Sequence, residues 1–471
     1  MKRFFQLFII GFSGLLLLAG CEDYLDINED PNNATNAPLT GLMARTTFET
    51  GDNVQNLGGI TSFYVQYLAS PNEASATDVQ EAVAYDQTWF ELYDVMTDLS
   101  DLEILALEQN AQKYLGVARI LKALNLGLTV DMWGDIPYTQ AFFAQTITPE
   151  YDDQEELYTT VQALLSDGIE ILNTDTTDIE IGNDDFIYQG DTEKWLKAAH
   201  ALKARYFLHT SETPGFSEEA VLAELNLAFE SNDDDAAVSY FDDAINPWAS
   251  VAIGNANLIL GGWISEQIIG TMDGSIYGVT DPRMPFLFGQ TDAGAFEGVT
   301  NGAGRGDAAE QGERSTLVEG TYYSSRTSDI NIITFSEIKF IEAEVELLDG
   351  DAGSAYNAYL DGIEANMLEL GVDEGDITTY LADPNVAVGA SGLTRELILK
   401  EKYVSLFLNP ETWNDARRIN YAYEDFDAPA NLNPELGGEL ITRLIYPESE
   451  TNRNGANVPT VTLTTNLWWD L

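Results

Sequence analysis

Seven stretches of this 471-residue chain space their apolar residues at steps of three and four, which commits most of it to helix. Over 97–132 the series is Leu102, Leu105, Tyr114, Val117, Leu121, Leu124 and Leu128, with a polar patch at Glu108–Lys113 that predicts a break. Residues 155–172 and 193–210 repeat the pattern, through Leu157, Val161, Leu164, Leu165, Ile169 and Leu172, then Trp195, Ala199, Leu202, Tyr206 and His209. Further amphipathic stretches lie at 217–230, 335–349, 352–370 and 393–408. Between 232 and 334 the periodicity fades into Gly, Asn, Asp, Ser and aromatic residues, with a glycine-rich run at Gly298–Gly312. Loops this long in a compact protein usually carry function. The expected fold class is mainly α, with helix pairs as scaffold and long irregular loops with a few short strands on it.

The pair at 335–370 places Ala343, Leu347, Gly350, Ala355, Tyr359 and Gly362 roughly where tetratricopeptide helix pairs alternate small and large residues. Small residues let two helices approach and large ones fill the groove between them. The helices of 97–132 and 155–172 are expected to form another such pair. No strict identity at the roughly 34-residue period of such repeats is visible.

Cys21 is the only cysteine. Intrachain disulfides and thiolate metal sites are thereby excluded, so apolar burial must hold the fold. The cysteine ends the run Leu17-Leu18-Ala19-Gly20-Cys21, behind Lys2, Arg3 and a mostly apolar stretch from Phe4 to Leu18. A basic start, a short apolar segment and small residues at a cut form a secretory signal. With cysteine directly after the cut, the pattern resembles a bacterial lipobox, which implies that Cys21 is lipidated and becomes the N-terminus. The apolar stretch is short for a membrane span, which needs about 20 residues. Residues 1–20 are therefore read as signal peptide, 21–38 as a turn-rich tether and 39–471 as one domain.

The whole chain carries 22 Lys+Arg against 78 Asp+Glu. Removing the signal leaves 20 against 78, a net charge of −58. Nucleic acid is excluded as a partner, because its phosphates demand a basic face. Docking on anionic lipid through a basic patch is excluded for the same reason. Carboxylate pairs are too abundant here to be diagnostic of glycosidase chemistry. Asp233-Asp234-Asp235 and Asp242-Asp243 could hold calcium through hard oxygens, yet they lack regular ligand spacing and read better as solvated loops. His200 and His209 stand too far around one helix to share a metal, and read as packing and capping residues. The glycines of 298–306 precede no phosphate-loop lysine, and neither a Gly-x-Ser-x-Gly elbow nor a His-Glu-x-x-His helix occurs.

Several stretches then resemble one family. They are Leu25-Asp26-Ile27-Asn28-Glu29-Asp30-Pro31-Asn32, Asp131-Met132-Trp133-Gly134-Asp135-Ile136-Pro137-Tyr138, Trp195-Leu196-Lys197, Leu202-Lys203-Ala204-Arg205-Tyr206 and Asp281-Pro282-Arg283-Met284. Towards the end come Phe335-Ser336-Glu337, Glu342-Ala343-Glu344, Lys400-Glu401-Lys402-Tyr403, Trp413-Asn414-Asp415-Ala416-Arg417-Arg418 and Arg443-Leu444-Ile445-Tyr446-Pro447. In this order, behind a lipobox, they resemble the SusD/RagB outer-membrane nutrient-binding lipoproteins of Bacteroidetes. The resemblance implies four tetratricopeptide-like helix pairs and a loop-built ligand surface. It also implies a non-catalytic role: capture of oligosaccharide, or in some members peptide, and delivery to a SusC-like TonB-dependent transporter. Glu22 and Asp23 look like the surface-export signal of such lipoproteins, so the expected location is the outer membrane, facing outward.

Neutral sugars need flat aromatic faces and amide, carboxylate or guanidinium groups for their hydroxyls. The loop-rich region supplies Trp248, Trp263, Tyr277, Phe296, Tyr322 and Tyr323 near Asn246, Asn255, Asn257, Gln267, Asp273 and Arg283, and Phe63-Tyr64 through Trp89 could form a facing wall. The expected ligand residues are Trp89, Trp248, Trp263, Tyr277, Arg283, Tyr322 and Tyr323, with core packing the competing reading for each ring. Trp195 and Trp413 are expected in the core, Trp133 is expected to be structural at a helix end, and salt bridges are the simpler use of Arg283, Arg417 and Arg418. The strong negative charge favours a neutral oligosaccharide. A lipid-anchored glycoside hydrolase and a helical-repeat scaffold that binds only proteins are the rival functions.

Overall fold

The computed structural model describes residues 37–143, 146–256, 261–306 and 311–470. Cys21, the signal and nearly all of the tether lie outside the described residues, as does Asn257. Among the described residues fifteen α-helices dominate and strands are few and short.

The helical scaffold begins with α1 (Leu39–Tyr64), α2 (Asp86–Gln109), α3 (Gln112–Trp133), α4 (Gln154–Thr174), α5 (Thr192–His209) and α6 (Glu218–Leu225). Each of these packs on the next in chain order. The break expected near Glu108–Lys113 falls at Asn110, whose φ of 55° is left-handed and ends α2. Side-chain caps set the starts: Asp153 accepts from the N–H groups of Glu155 and Glu156, and Asp191 from those of Glu193 and Lys194. The expected pairing of the 97–132 and 155–172 segments is that of α3 with α4. Glycine allows it: a Cβ on Gly116 would stand 2.6 Å from the Leu172 side chain, and one on Gly168 3.0 Å from the Gly116 carbonyl.

The loop-rich stretch holds α7 (Pro247–Ala256), α8 (Glu266–Asp273) and α9 (Met284–Leu287). One ribbon ties it to the rest, and a second joins its own two ends. Strand β1 (Leu68–Ala69) pairs antiparallel with β3 (Trp263–Ile264), and β2 (Ala236–Val238) with β4 (Ile330–Ile333) across a bulge at Ala236/Ala237. The scaffold then resumes with α10 (Phe335–Asp349) and α11 (Ala352–Leu370), joined at Gly350 with φ 95°. This is the tight pair expected from spacing, with Gly362 against the Phe340 ring. Next come α12 (Glu374–Leu381), α13 (Arg395–Ser405) and α14 (Glu411–Arg418), then mostly loops with the short helix α15 (Glu448–Arg453).

One apolar cluster runs through nearly all these elements, and scarce cations are buried inside it as ion pairs. Arg205 of α5 grips Glu337 of α10 with Nε to Oε1 at 2.7 Å and Nη2 to Oε2 at 2.6 Å. Arg418 bridges Glu344 and Asp415, and Lys402 reaches Asp415 at 2.8 Å. The Arg417 guanidinium lies 3.9 Å from the Trp413 ring centre, a stacked cation–π contact. Trp133, Trp195 and Trp413 are buried, as expected.

Candidate ligand-binding site

The segment from Val318 to Asp329, Val-Glu-Gly-Thr-Tyr-Tyr-Ser-Ser-Arg-Thr-Ser-Asp, is dense in hydroxyls, and they fold it onto itself. Ser324 Oγ donates to the Val318 carbonyl and stands 2.6 Å from Thr321 Oγ1. Ser325 Oγ donates to the Thr321 carbonyl at 3.0 Å. Local side-chain bonds of this kind compete with helix and strand, which explains the irregular backbone. The Tyr322 N–H then donates to the Phe286 carbonyl at 2.9 Å, bringing the loop against α9.

Between these pieces lies a cavity of about 450 Å³ lined by Pro285, Phe286, Tyr322, Ser325, Thr327 and Asp329, among others. Tyr322 is half-buried. Its phenol donates to Glu369 at 2.8 Å, and Asn331 Nδ2 donates to the same oxygen at 2.7 Å, so the ring is fixed from behind. Burial pushes the Tyr322 phenol up, and the Glu369 carboxyl adds to this, which keeps the hydroxyl protonated as a donor. Asp329 is the one carboxyl among the cavity's described lining residues. Two rings, a rim of hydroxyls and one acid suit the recognition of a polyhydroxylated neutral molecule. They offer no facing pair of acids for glycoside hydrolysis.

Of the expected ligand residues, this cavity contains Tyr322 alone. Tyr277 is half-exposed elsewhere, its phenol oxygen accepting the Glu424 N–H and its ring 5.5 Å from Lys400 Nζ. The rest are structural in this conformation. Trp263 is fully buried in β3 behind Ala69 and Val299, and Trp89 packs edge-on against Trp133 at 5.2 Å. Arg283 has no exposed surface. It is held by Asp281 and Glu401 and donates to Asn366 at 3.0 Å. Trp248 and Tyr323 are buried around a void of about 20 Å³, room for one water. Their rings therefore offer a ligand no face. The reason is shared: a long loop over a large scaffold must bury its own anchors, and aromatics serve that end best. Asn246 is an anchor too, with Oδ1 accepting the Trp248 N–H at 2.7 Å and Nδ2 donating to the Ser328 carbonyl at 2.8 Å.

Of the carboxylates considered for calcium, Asp233, Asp242 and Asp243 are exposed, whereas Asp234 and Asp235 are engaged by protein groups. Asp234 accepts the Glu230 N–H at 2.8 Å and pairs with Lys197 at 2.9 Å, while Asp235 accepts the Phe335 N–H at 2.5 Å. A buried cluster that spacing alone did not suggest joins Asp131 of α3, His209 of α5 and Glu411 of α14, with one ligand atom of each within 4.8 Å of the others. Protein groups already meet its atoms. His209 Nε2 lies 2.7 Å from Glu411 and Nδ1 2.9 Å from the Tyr158 phenol, which also bonds Asp131. Burial disfavours the Glu411 charge, but His209 and Arg205 outweigh it and hold the carboxyl well below the usual range. Asn414 bridges Asp131 and Glu411. A metal would have to break this network, so the cluster is read as an interhelical clamp.

A larger cavity, about 700 Å³, opens on the helical side between α4, α5 and Trp468. Among the described residues no helix is long and apolar enough to cross a membrane.

A stack of paired helices topped by an irregular, hydroxyl-rich face defines a helical-repeat fold with a loop-built surface. The family model described as "Starch-binding associating with outer membrane", SusD-like, matches residues 31–447, and the chain belongs to that family. No curated protein matches it at the sequence level. Solved structures share its fold. A chitin-binding protein is similar at 23% identity and a TM-score of 0.76, covering 92% of this chain and 100% of its own. A SusD/RagB family protein from Bacteroides thetaiotaomicron is similar at 22% identity and 0.73, covering 92% and 99%. A chitin-binding SusD homolog from Flavobacterium johnsoniae is similar at 20% identity and 0.75, covering 91% and 98%.

Proposed function

We propose that this protein is a lipid-anchored receptor on the outer membrane. It captures neutral oligosaccharides on its loop-built face and passes them to a SusC-like TonB-dependent transporter. The observation that carries this reading is the Tyr322 cavity, ringed by hydroxyls on a fold whose family is described as starch-binding. Two chitin-binding relatives of the same fold add support for a glycan. Acylation at Cys21 supplies the anchor, since two or more chains hold a protein at a bilayer where one does not. The strong negative charge, −56 over the whole chain, disfavours polyanionic glycans.

The test is titration calorimetry of the protein with maltoheptaose, cellotetraose and tetra-N-acetylchitotetraose, alongside product analysis. Tyr322→Ala is expected to weaken binding of the preferred glycan at least about tenfold, roughly 1.4 kcal/mol. Unchanged affinity would sink the cavity as the site, and steady release of shorter sugars would sink the receptor reading. Cys21→Ser is expected to abolish incorporation of labelled palmitate.

A further inference from the structure

Cations are scarce in this chain, and carboxyls buried in the scaffold hold them. Glu337 has Arg205, Glu344 has Arg395 and Arg418, and Glu401 has Arg283 and Lys400. The Tyr322 cavity is different. Its described lining contains Asp329 and no Lys, Arg or His. Arg326, the one cation between Val318 and Asp329, points its charge at Glu319, which it meets at 2.7 Å. Glu369, behind the Tyr322 ring, is bonded by Tyr322 and Asn331 and by no cation.

Two further observations bear on what this cavity takes. Burial pushes the Asp329 carboxyl up, and the Ser239 hydroxyl works against this by bonding the charged form. A carboxylate that burial disfavours is stabilised by a counter-charge, and no basic side chain brings one. The rings of Phe286 and Tyr322 are only half-buried here, and the face of an aromatic ring attracts a cation.

A sugar hydroxyl meets Asp329 with a neutral hydrogen bond. A primary ammonium meets it with a charge-assisted one, and ammonium is also what the rings and the net charge of −56 favour. The hydroxyl rim serves the rest of a sugar ring in either case. We propose that Asp329 sets the preference of this site, and that among glycans of one backbone it favours the one with free amino groups over those with only hydroxyls or acetamides. The inference rests on the receptor reading for the place of the site and extends its ligands from neutral to cationic sugars.

The probes are cellotetraose, tetra-N-acetylchitotetraose and tetraglucosamine, which share the β-1,4 backbone and differ at one ring position, and tetralysine, which has amines and no sugar. Each is titrated near pH 6 into the protein, Tyr322→Ala and Asp329→Asn, all checked for unchanged melting temperature. In about 0.15 M sodium chloride charges more than about 8 Å away are largely screened, so the distant acidic surface adds little. Tetraglucosamine is expected to bind about threefold to tenfold tighter than the other two sugars, a margin that narrows in about 0.5 M salt. Asp329→Asn is expected to remove most of this margin, and Tyr322→Ala to weaken all three sugars. Equal or weaker binding of tetraglucosamine, a margin unmoved by Asp329→Asn, or tetralysine binding as tightly as tetraglucosamine overturns the inference. If Tyr322→Ala still weakens cellotetraose in that event, the receptor site stands without the preference. If Tyr322→Ala changes the affinity of no sugar, the site falls and the inference with it.

Discussion

The scaffold and the loop face are both ordered, yet by different means. In the scaffold, periodic apolar faces are pinned by ion pairs with no solvent access, such as Arg205–Glu337 and Arg418–Glu344. On the loop face, Asn246 donates to the Ser328 carbonyl, Ser265 to the Asn301 side chain and Ser324 to the Val318 carbonyl, and buried aromatics replace the helical stripe. A buried ion pair fixes how two elements meet, because removing one partner strands a charge. A bond such as that of Ser324 to the Val318 carbonyl fixes only its own turn. The scaffold therefore holds its geometry globally, whereas the Val318–Asp329 turn can vary locally between the loop face's fixed anchors, the buried pair of Arg283 with Asp281 and Glu401 among them.

The largest expected effect tests the scaffold half of this contrast. Glu337→Ala leaves the buried Arg205 guanidinium with Glu411, at 3.8 Å, as counter-charge and the Ile332 carbonyl, at 2.7 Å, as acceptor. A loss of about 3–5 kcal/mol is expected, read as a drop in the denaturant midpoint. A loss under about 1 kcal/mol would mean that the ion pairs are incidental to the packing.

Asn246→Ala tests the other half. It removes the Ser328 contact and the acceptor at the start of α7, at an expected cost of about 1–3 kcal/mol. Cleavage by a protease is expected first between 318 and 329, with the scaffold left intact. Simultaneous digestion of both regions would show them to be one cooperative unit.

The scaffold was the legible part. Spacing of three and four shows where α4, α5, α10 and α11 run, because those faces meet one apolar neighbour. It misses α1, whose Thr46, Thr47 and Thr50 hide their hydroxyls by bonding back to carbonyls four residues earlier. The site was less legible. Aromatic residues in a loop look the same whether they face a ligand or anchor the loop, and Trp248, Trp263 and Tyr323 anchor it. The density of hydroxyls at 321–328 is the signal that could have marked the cavity, and the reading of aromatic residues passed over it. The meeting of Asp131, His209 and Glu411 could not be read at all, since residues 280 positions apart in sequence are joined only by the stacking of three helices.

The smallest expected effect lies where the two regions join. Asp235 precedes β2, and Glu369, near the end of α11, holds Tyr322. Burial pushes the Asp235 carboxyl up to about 9, with Glu369, Asp234 and Glu337 adding to the rise. Its unfolded value is about 3.9. The folded state thus binds the extra proton between these limits. The stability this supplies is complete below about pH 4 and is lost as pH rises through 9. Asparagine cannot ionise and keeps an oxygen for the Phe335 N–H. Asp235→Asn is therefore expected to match the parent near pH 4 and to exceed it near pH 9 by on the order of 1–2 kcal/mol, water at the partly exposed carboxyl screening the remainder. Thermal melts of both proteins from pH 4 to pH 9.5 measure this. Parallel curves would mean that Asp235 is ionised throughout, and that burial and the neighbouring carboxylates do not hold its proton.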